Sequence, residues 1–181
     1  MNFFGHLKTV TKHKYLVMKG CFRVGLIRQG LTHDLSKFSP TEFSAGVRYY
    51  QGNRSPNARE RELFGYSPDW MHHKGSNKHH FEYWTDLIPG TKKYGPVPMP
   101  NRYLAEMVMD RIAACKTYQG DAYTDASPLA YLERARDSSS MHPETGRKLR
   151  FLLAMLRDKG ERETFRFIRT TVLKDIPFAE E

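Results

Sequence analysis

The apolar residues of this chain recur at the spacing of α-helices, and this pattern constrains the fold more than any other feature. In the segment 101–118, Leu104, Val108 and Ile112 lie four positions apart, so they form one apolar face of a helix. The segment 145–159 repeats the pattern. No run alternates apolar and polar residues over the length of a strand, and Val/Ile-rich segments between turns are missing. The sequence therefore predicts an all-α fold.

Glycine, proline and polar residues divide the rest of the chain into shorter segments. The 181 residues suit one domain with a continuous core. Four prolines and two glycines in 89–100 predict a loop without regular structure, between the histidine-rich segment and the best helix. The remaining predicted helices are 4–19 and 21–29, each ended by a glycine, then 40–50, 57–64, 128–135, 145–159 and 161–173, with a helix, a loop and a helix in 70–84.

Composition and motifs exclude several classes of protein. With 39% hydrophobic residues the chain is not a disordered polar one. The longest apolar stretches, such as 151–156, are far shorter than the roughly 20 residues of a membrane span. Residues 1–12 lack the features of a secretory signal, so a cytoplasmic protein is expected. Cys21 and Cys115 form no CxxC pair, which excludes a redox motif and a cysteine-based zinc site. The GxSxG, GxxxxGK[ST], HExxH and GxGxxG motifs are absent.

Positive charge is concentrated at the start of the chain. The net charge is +9, and residues 1–40 contain seven lysines and arginines against one acid, Asp34. Such a region attracts phosphate groups, and we expect a phosphate-containing small molecule, with a nucleotide favoured, nucleic acid as an alternative partner, and no membrane partner. A solvated helix face explains the same charge equally well.

Eight polar residues at positions that fit a core or a cleft belong to types that bind metals. Neutral imidazole together with carboxylate suits Mn, Fe, Co, Ni and Zn, and a shared aspartate allows two ions. The adjacent His33 and Asp34 follow a predicted helix end, where they can direct an imidazole and a carboxylate to one ion or to neighbouring ions. The eight residues are His13, His33, Asp34, His72, His73, His79, His80 and Asp110. At most three of the four histidines in 72–80 fit as ligands, and His72 is the least favoured.

The order of these residues resembles the HD-domain superfamily of metal-dependent phosphohydrolases. Its pattern H…HD…D is matched by His13, His33-Asp34 and Asp110, over about residues 7–118. The run HDLSK at 33–37 is similar to the HDxxK form of the branch that cleaves cyclic dinucleotides, but the GYP signature of that branch is missing after the histidine pair. The segments HDLSKFSPTEF and NKHHFEYW are similar to an uncharacterised bacterial and phage family, which supplies no activity.

This resemblance implies both a fold and a reaction. The fold is a single HD-like helical domain over 1–181, with a metal-site core at about 7–118 and C-terminal helices at about 128–175. The reaction is hydrolysis of a nucleotide or another phosphate ester by a metal-activated water, with one or two divalent ions of Mn, Fe, Ni, Co, Zn or Mg.

The resemblance also implies residue roles. Lys37 and Asp34 are the catalytic residues, because the lysine of the HDxxK form contacts the scissile phosphate. The implied ligands of a core metal are His13, His33, Asp34 and Asp110, and Asp34 bridges to a second ion held by His73, His79 and His80. Asn77 and Glu82 would orient the imidazoles, and Lys14, Arg23 or Arg28 would hold the remaining phosphate charge.

Other interpretations of the same residues stay open. A diiron oxygenase on the same scaffold uses a similar ligand set. A non-catalytic module with a structural metal would use the basic region to bind nucleic acid or protein. Taken alone, Asp34 could cap a helix, and His13 could be a buried core histidine. Asp110 could pair with a buried lysine or arginine. The proline-rich segment 89–100 fits a lid over the site.

Overall fold

The computed structural model describes residues 1–134 and 140–179, and it confirms the all-α prediction. One short antiparallel pair of strands is present beside the helices in these residues. The helices are α1 (Phe3–Val24), α2 (Ile27–Thr32), α3 (Pro40–Arg48), α4 (Pro56–Phe64), α5 (Pro68–Ser76), α6 (Asn101–Gln119), α7 (Ser127–Arg134) and α8 (Pro143–Thr170). The strands are β1 (Thr85–Leu87) and β2 (Tyr94–Pro96). Short 3-10 turns occupy Leu35–Phe38, Phe81–Tyr83, Gly120–Ala122 and Val172–Lys174. Residue 135, the predicted end of α7, lies outside the described residues, as does the part of the predicted 128–175 region at 136–139.

Three consecutive helices begin with the dipeptide Ser-Pro. In α3 the side chain of Ser39 accepts a hydrogen bond from the amide of Glu42, as predicted for a capping serine. The serines before α4 and α5 cap their helices in the same way, each with a proline at the first helical position. These short capped helices set the positions of the histidine-rich segment relative to α1 and α6.

The predicted helix ends at Gly20 and Gly30 are wrong. Helix α1 continues through Gly20 to Val24, and Gly30 lies inside α2. A Cβ atom at Gly20 would lie 2.8 Å from Sδ of Met109 on α6. Glycine is needed there for the close approach of α1 to α6, and Gly25, with φ of 90°, ends α1 instead.

The prediction that 89–100 is wholly irregular is also wrong. Strand β2 pairs with β1 in the register Thr85–Pro96, Asp86–Gly95 and Leu87–Tyr94. Proline is tolerated here because Pro96 is the last residue of a strand in a two-stranded pair, where no further ladder bond is needed. The break at Gly160 is confirmed: α8 has non-helical angles there, with φ of 75°.

The core lies where α1, α6 and α8 pack together. Val17, Leu104, Val108 and Leu153 are completely buried in one cluster. Helix α6 therefore has one side in the hydrophobic core and carries Asp110 toward a polar centre on another side. Within the described residues, no helix combines the length and the apolar character needed to cross a bilayer.

Truncating the core at Leu153 is expected to destabilise the fold. Leu153→Ala leaves a cavity at a residue with 0% exposure, and such a change lowers the free energy of unfolding by about 2–5 kcal/mol. The matched control is Leu63→Ala, since Leu63 is 49% exposed and its loss should change stability by about 0.5 kcal/mol or less. Urea unfolding of both variants measures the difference, and equal effects would contradict this description of the core.

Candidate metal centre

Four separate parts of the chain bring the sequence-predicted ligands into one buried cluster. Helix α1 supplies one histidine, the turn after α2 supplies the His-Asp pair, α5 and the segment after it supply three histidines, and α6 supplies an aspartate. The seven residues are His13, His33, Asp34, His73, His79, His80 and Asp110. The side chains of His33, Asp34, His73 and His79 are at most 2% exposed. Those of His13 and Asp110 are 12% and 17% exposed, so solvent reaches the cluster from their side.

Asp34 has a special backbone conformation. Its φ of 52° is left-handed, which costs a non-glycine residue about 1 kcal/mol and which aspartate tolerates better than most residues. Its side chain makes no capping hydrogen bond to the following 3-10 turn. The conformation thus serves to place the carboxylate among the histidines rather than to cap a helix.

The possible ligand atoms form three groups among the described residues; two of them share Asp34, and the third consists of His33, His79 and Glu106. Oδ2 of Asp34 lies 3.4 Å from Nε2 of His33 and 3.9 Å from Nε2 of His13. Oδ1 lies 3.4 Å from Nε2 of His73 and 3.3 Å from Nε2 of His79. The first group is completed by Asp110 and the second by His80, and within each group the ligand atoms lie within 4.8 Å of one another. The two oxygens of one carboxylate therefore face two different sets of ligands.

Buried atoms without hydrogen bonds show that this cluster fits metal ions. Among the described residues, Nε2 of His33, His79 and His80 and Oδ1 of Asp34 are buried and have no hydrogen-bond partner. A buried polar atom without a partner costs about 1–3 kcal/mol. Imidazole nitrogens and carboxylate oxygens that converge in this way are ligands for divalent transition metals, which would satisfy all of them together.

Two glutamates accept hydrogen bonds from the Nδ1 atoms of two histidines in the cluster. Nδ1 of His33 donates to Oε1 of Glu106 over 2.9 Å, and Nδ1 of His73 donates to Oε2 of Glu42 over 2.8 Å. Carboxylates that accept from Nδ1 fix the imidazole so that its Nε2 faces Asp34 and the rest of the cluster. Both glutamates are ionised, because their bonds to histidine lower their pKa values against the opposing effect of burial.

Comparison with known proteins gives one result. Residues 2–155 match a family of unknown function, DUF5662. The chain belongs to this family. No curated protein matches the chain, and no solved structure matches it either. The range shared with DUF5662 contains every residue of the cluster and ends inside α8.

Glu42 and Glu106 are parts of the cluster that were not predicted from the sequence. Glu106 lies four residues before Asp110, one turn away on the same side of α6, and that spacing was an available signal. Glu42 carried no such signal, because its position at the third residue of α3 already explained it as a helix-start residue. His72 lies outside both groups and donates to Oε1 of Glu42 over 2.8 Å.

Electrostatics keep Asp34 charged although it is buried. Burial raises the pKa of its carboxyl, but His33, Lys37, His73 and His79 outweigh that effect and hold the pKa well below the usual range. Burial lowers the pKa of His80 far below normal, with a further contribution from His79. His80 is therefore neutral, which is the form that binds metals.

Lys37 lies at the edge of the cluster. Its Nζ is 2.9 Å from Oδ2 of Asp34, and its side chain is 29% exposed. Burial disfavours its charge, but Asp34 and Asp110 outweigh this and raise its pKa, so that Lys37 stays a cation. It lines a small cavity of about 80 Å³, the Lys37 cavity, together with His73, Tyr50 and Tyr118.

The other sequence-predicted residues have different surroundings. Asn77 donates to the backbone carbonyl of His73 over 2.8 Å, and its role in orienting an imidazole stays a prediction. Glu82 lies in the 3-10 turn directly after His80, and its orienting role stays a prediction. Lys14 donates to the carbonyls of Leu31 and His33, which ties down the turn that carries the His-Asp pair.

The two arginines predicted to bind phosphate lie in different parts of the structure. Arg23 forms an ion pair with Glu161 over 2.6 Å and stacks on Phe165, so the structure does not bring it to the cluster. Its Cα is also about 15 Å from that of His13 along α1, at 1.5 Å per residue. Arg28 instead lines a larger cavity of about 410 Å³, the Arg28 cavity, which borders His33.

Proposed function

We propose that this DUF5662 chain is a metal-dependent phosphohydrolase of the HD type, acting on a nucleotide or another phosphate ester. The observation that carries the proposal is the position of Asp34, whose two oxygens face two groups of buried ligand atoms. A carboxylate placed in this way suits a centre of two ions that clamps a phosphate ester during in-line attack by water.

The residues available for each ion follow from the two groups. The first would be held by His13, His33, Asp34 and Asp110, and the second by Asp34, His73, His79 and His80. Because most of these ligands are imidazoles, Mn, Fe, Co, Ni and Zn fit better than Mg. When bound, such ions acidify a coordinated water and neutralise charge on the phosphate.

The chain's own contribution to the reaction is positioning and charge. The ammonium of Lys37 is fixed by Asp34 beside the cluster and would hold a phosphate oxygen of the substrate. Glu42 and Glu106 keep His73 and His33 from rotating while the substrate reacts. The small volume of the Lys37 cavity, about 80 Å³, suits a phosphoryl group with a few waters rather than a whole nucleotide.

Charge placement favours a hydrolase over the alternatives. A fixed cation at the metal centre is suited to a phosphate substrate, and the oxygenase interpretation gives it no role. Three residues of the basic region also have partners within the protein, which leaves fewer of them for nucleic acid: Lys14 binds two backbone carbonyls, Arg23 pairs with Glu161, and Lys37 pairs with Asp34.

Activity assays with a lysine variant test the proposed function. Metal-loaded protein is expected to release phosphate from at least one member of a panel of nucleotides and simple phosphate esters. Lys37→Gln should lower kcat/KM about 100-fold, since it removes a charge that contacts the reacting phosphate, while metal content stays unchanged.

The matched control is Lys12→Gln, because Lys12 is an exposed lysine of α1. This variant should keep full activity. If the protein holds its metal but hydrolyses no ester in the panel, or if Lys37→Gln is fully active, the phosphohydrolase proposal is wrong. An oxygen-sensitive iron spectrum in the inactive protein would then support the oxygenase.

A further inference from the structure

We propose that the Arg28 cavity is a second ligand site, which binds a small phosphate-bearing anion through Arg28, Lys78 and Arg102. The cavity has a volume of about 410 Å³ and lies between α2, the segment after α5 and the first turn of α6. This volume is within the range of about 300–1,000 Å³ that is typical of small-molecule sites.

The charge of the cavity is positive and uncompensated. None of its three cations has an acidic partner among the residues that the structure describes. Nζ of Lys78 lies 5.9 Å from the ring centre of Tyr103, and the guanidinium of Arg102 lies 5.8 Å from it. Both cations therefore lie beside the ring of Tyr103, which also lines the cavity.

The acid in the lining does not neutralise these cations. Among the described residues that line the cavity, Glu106 is the one acidic residue. Its Oε1 accepts the hydrogen bond of His33, and Nδ1 of His79 lies 3.4 Å from the same oxygen. The positive charge of Arg28, Lys78 and Arg102 therefore remains available to an anion.

The cavity lies beside the metal centre, because His33 and His79 border both of them. It shares no lining residue with the Lys37 cavity. The Nε2 atoms of His33 and His79 face Asp34, whereas their Nδ1 atoms face Glu106, which lines the Arg28 cavity. An anion bound here would lie behind the ligand histidines, away from the reacting groups, so this is an additional site and not part of the catalytic centre. The ligand carries two or more negative charges, such as a phosphomonoester or a diphosphate.

Calorimetric titration of inorganic pyrophosphate into chelator-treated, full-length protein tests this site without turnover. We expect saturable binding at one site that weakens as salt is added. Arg28→Gln, Lys78→Gln and Arg102→Gln should each weaken binding by about ten-fold or more, the loss of one charged hydrogen bond. All three side chains belong to exposed residues, so these variants should fold, and circular dichroism checks this.

Two control variants locate the anion. Lys12→Gln and Lys37→Gln should bind pyrophosphate as the wild type does, because neither residue lines the Arg28 cavity. Loss of binding in Lys37→Gln alone would place the anion at the metal centre and overturn the inference. Absence of saturable binding would also overturn it, as would binding of a single-stranded oligonucleotide that depends on Arg28 when pyrophosphate does not bind. Since the protein is metal-free, these outcomes do not depend on whether it is a hydrolase.

Discussion

Asp34→Asn is expected to abolish metal-dependent hydrolysis and to lower metal content. The change keeps the shape of the side chain but removes the charge that both ligand groups share. Loss of the metal removes several kcal/mol of transition-state stabilisation, so kcat/KM should fall about 1,000-fold or more. Phosphate release and metal content of the purified variant measure both effects.

The control for this variant is Asp121→Asn, since Asp121 is an exposed aspartate outside the cluster. It should keep full activity and metal. The Asp34 variant should be less stable than the wild type, because the ammonium of Lys37 loses its carboxylate partner. Its left-handed backbone is as well tolerated by asparagine as by aspartate, and circular dichroism checks that the variant is folded. A folded Asp34→Asn protein with wild-type activity would contradict the role given to this residue.

Removal of the metal is expected to produce the second large effect, a loss of thermal stability. Without an ion, Nε2 of His33, His79 and His80 stays buried with no hydrogen-bond partner in the described part of the chain. A metal at 100 times its dissociation constant stabilises the folded state by about 2.7 kcal/mol, which for a chain of this size raises Tm by about 5–10 °C.

Thermal unfolding of chelator-treated protein, before and after addition of Mn²⁺ or Zn²⁺, measures this gain. His79→Ala serves as the comparison, since it removes a ligand atom of the second group, and its gain should be much smaller. An equal rise in Tm for His79→Ala and wild type would mean that the ion binds elsewhere on the protein.

The order of residues along the chain predicted the composition of the cluster better than it predicted the helix boundaries. The structure brings together four residues whose order suggested a common site, because packed helices place residues of distant segments next to one another. They are His13, His33, Asp34 and Asp110. The helix ends at Gly20 and Gly30 were wrong because glycine serves there for helix–helix contact, and sequence alone does not distinguish this use from a stop.

The hydrogen-bond partners of the histidines depend on three-dimensional packing, and they were not predicted from the sequence. Glu42 supports His73 across 31 positions, and Glu106 supports His33 across 73. Neither glutamate is near its histidine in the sequence, since both contacts depend on how α3 and α6 dock against the histidine-bearing segments. Arg23 shows the opposite error: its charge suggested phosphate binding, but packing of α1 on α8 pairs it with Glu161.

Metal content of untagged protein is the most direct test of the central claim that the cluster binds divalent ions. Mass spectrometry should find about one or two equivalents of Mn, Fe, Co, Ni or Zn in the wild type. The double variant His33→Ala/Asp34→Ala should lose the metal while it remains folded. His142→Ala, which changes a histidine outside both ligand groups, should retain it. If the wild type takes up no metal even after reconstitution, or if the double variant keeps a full complement, the cluster is not a metal centre.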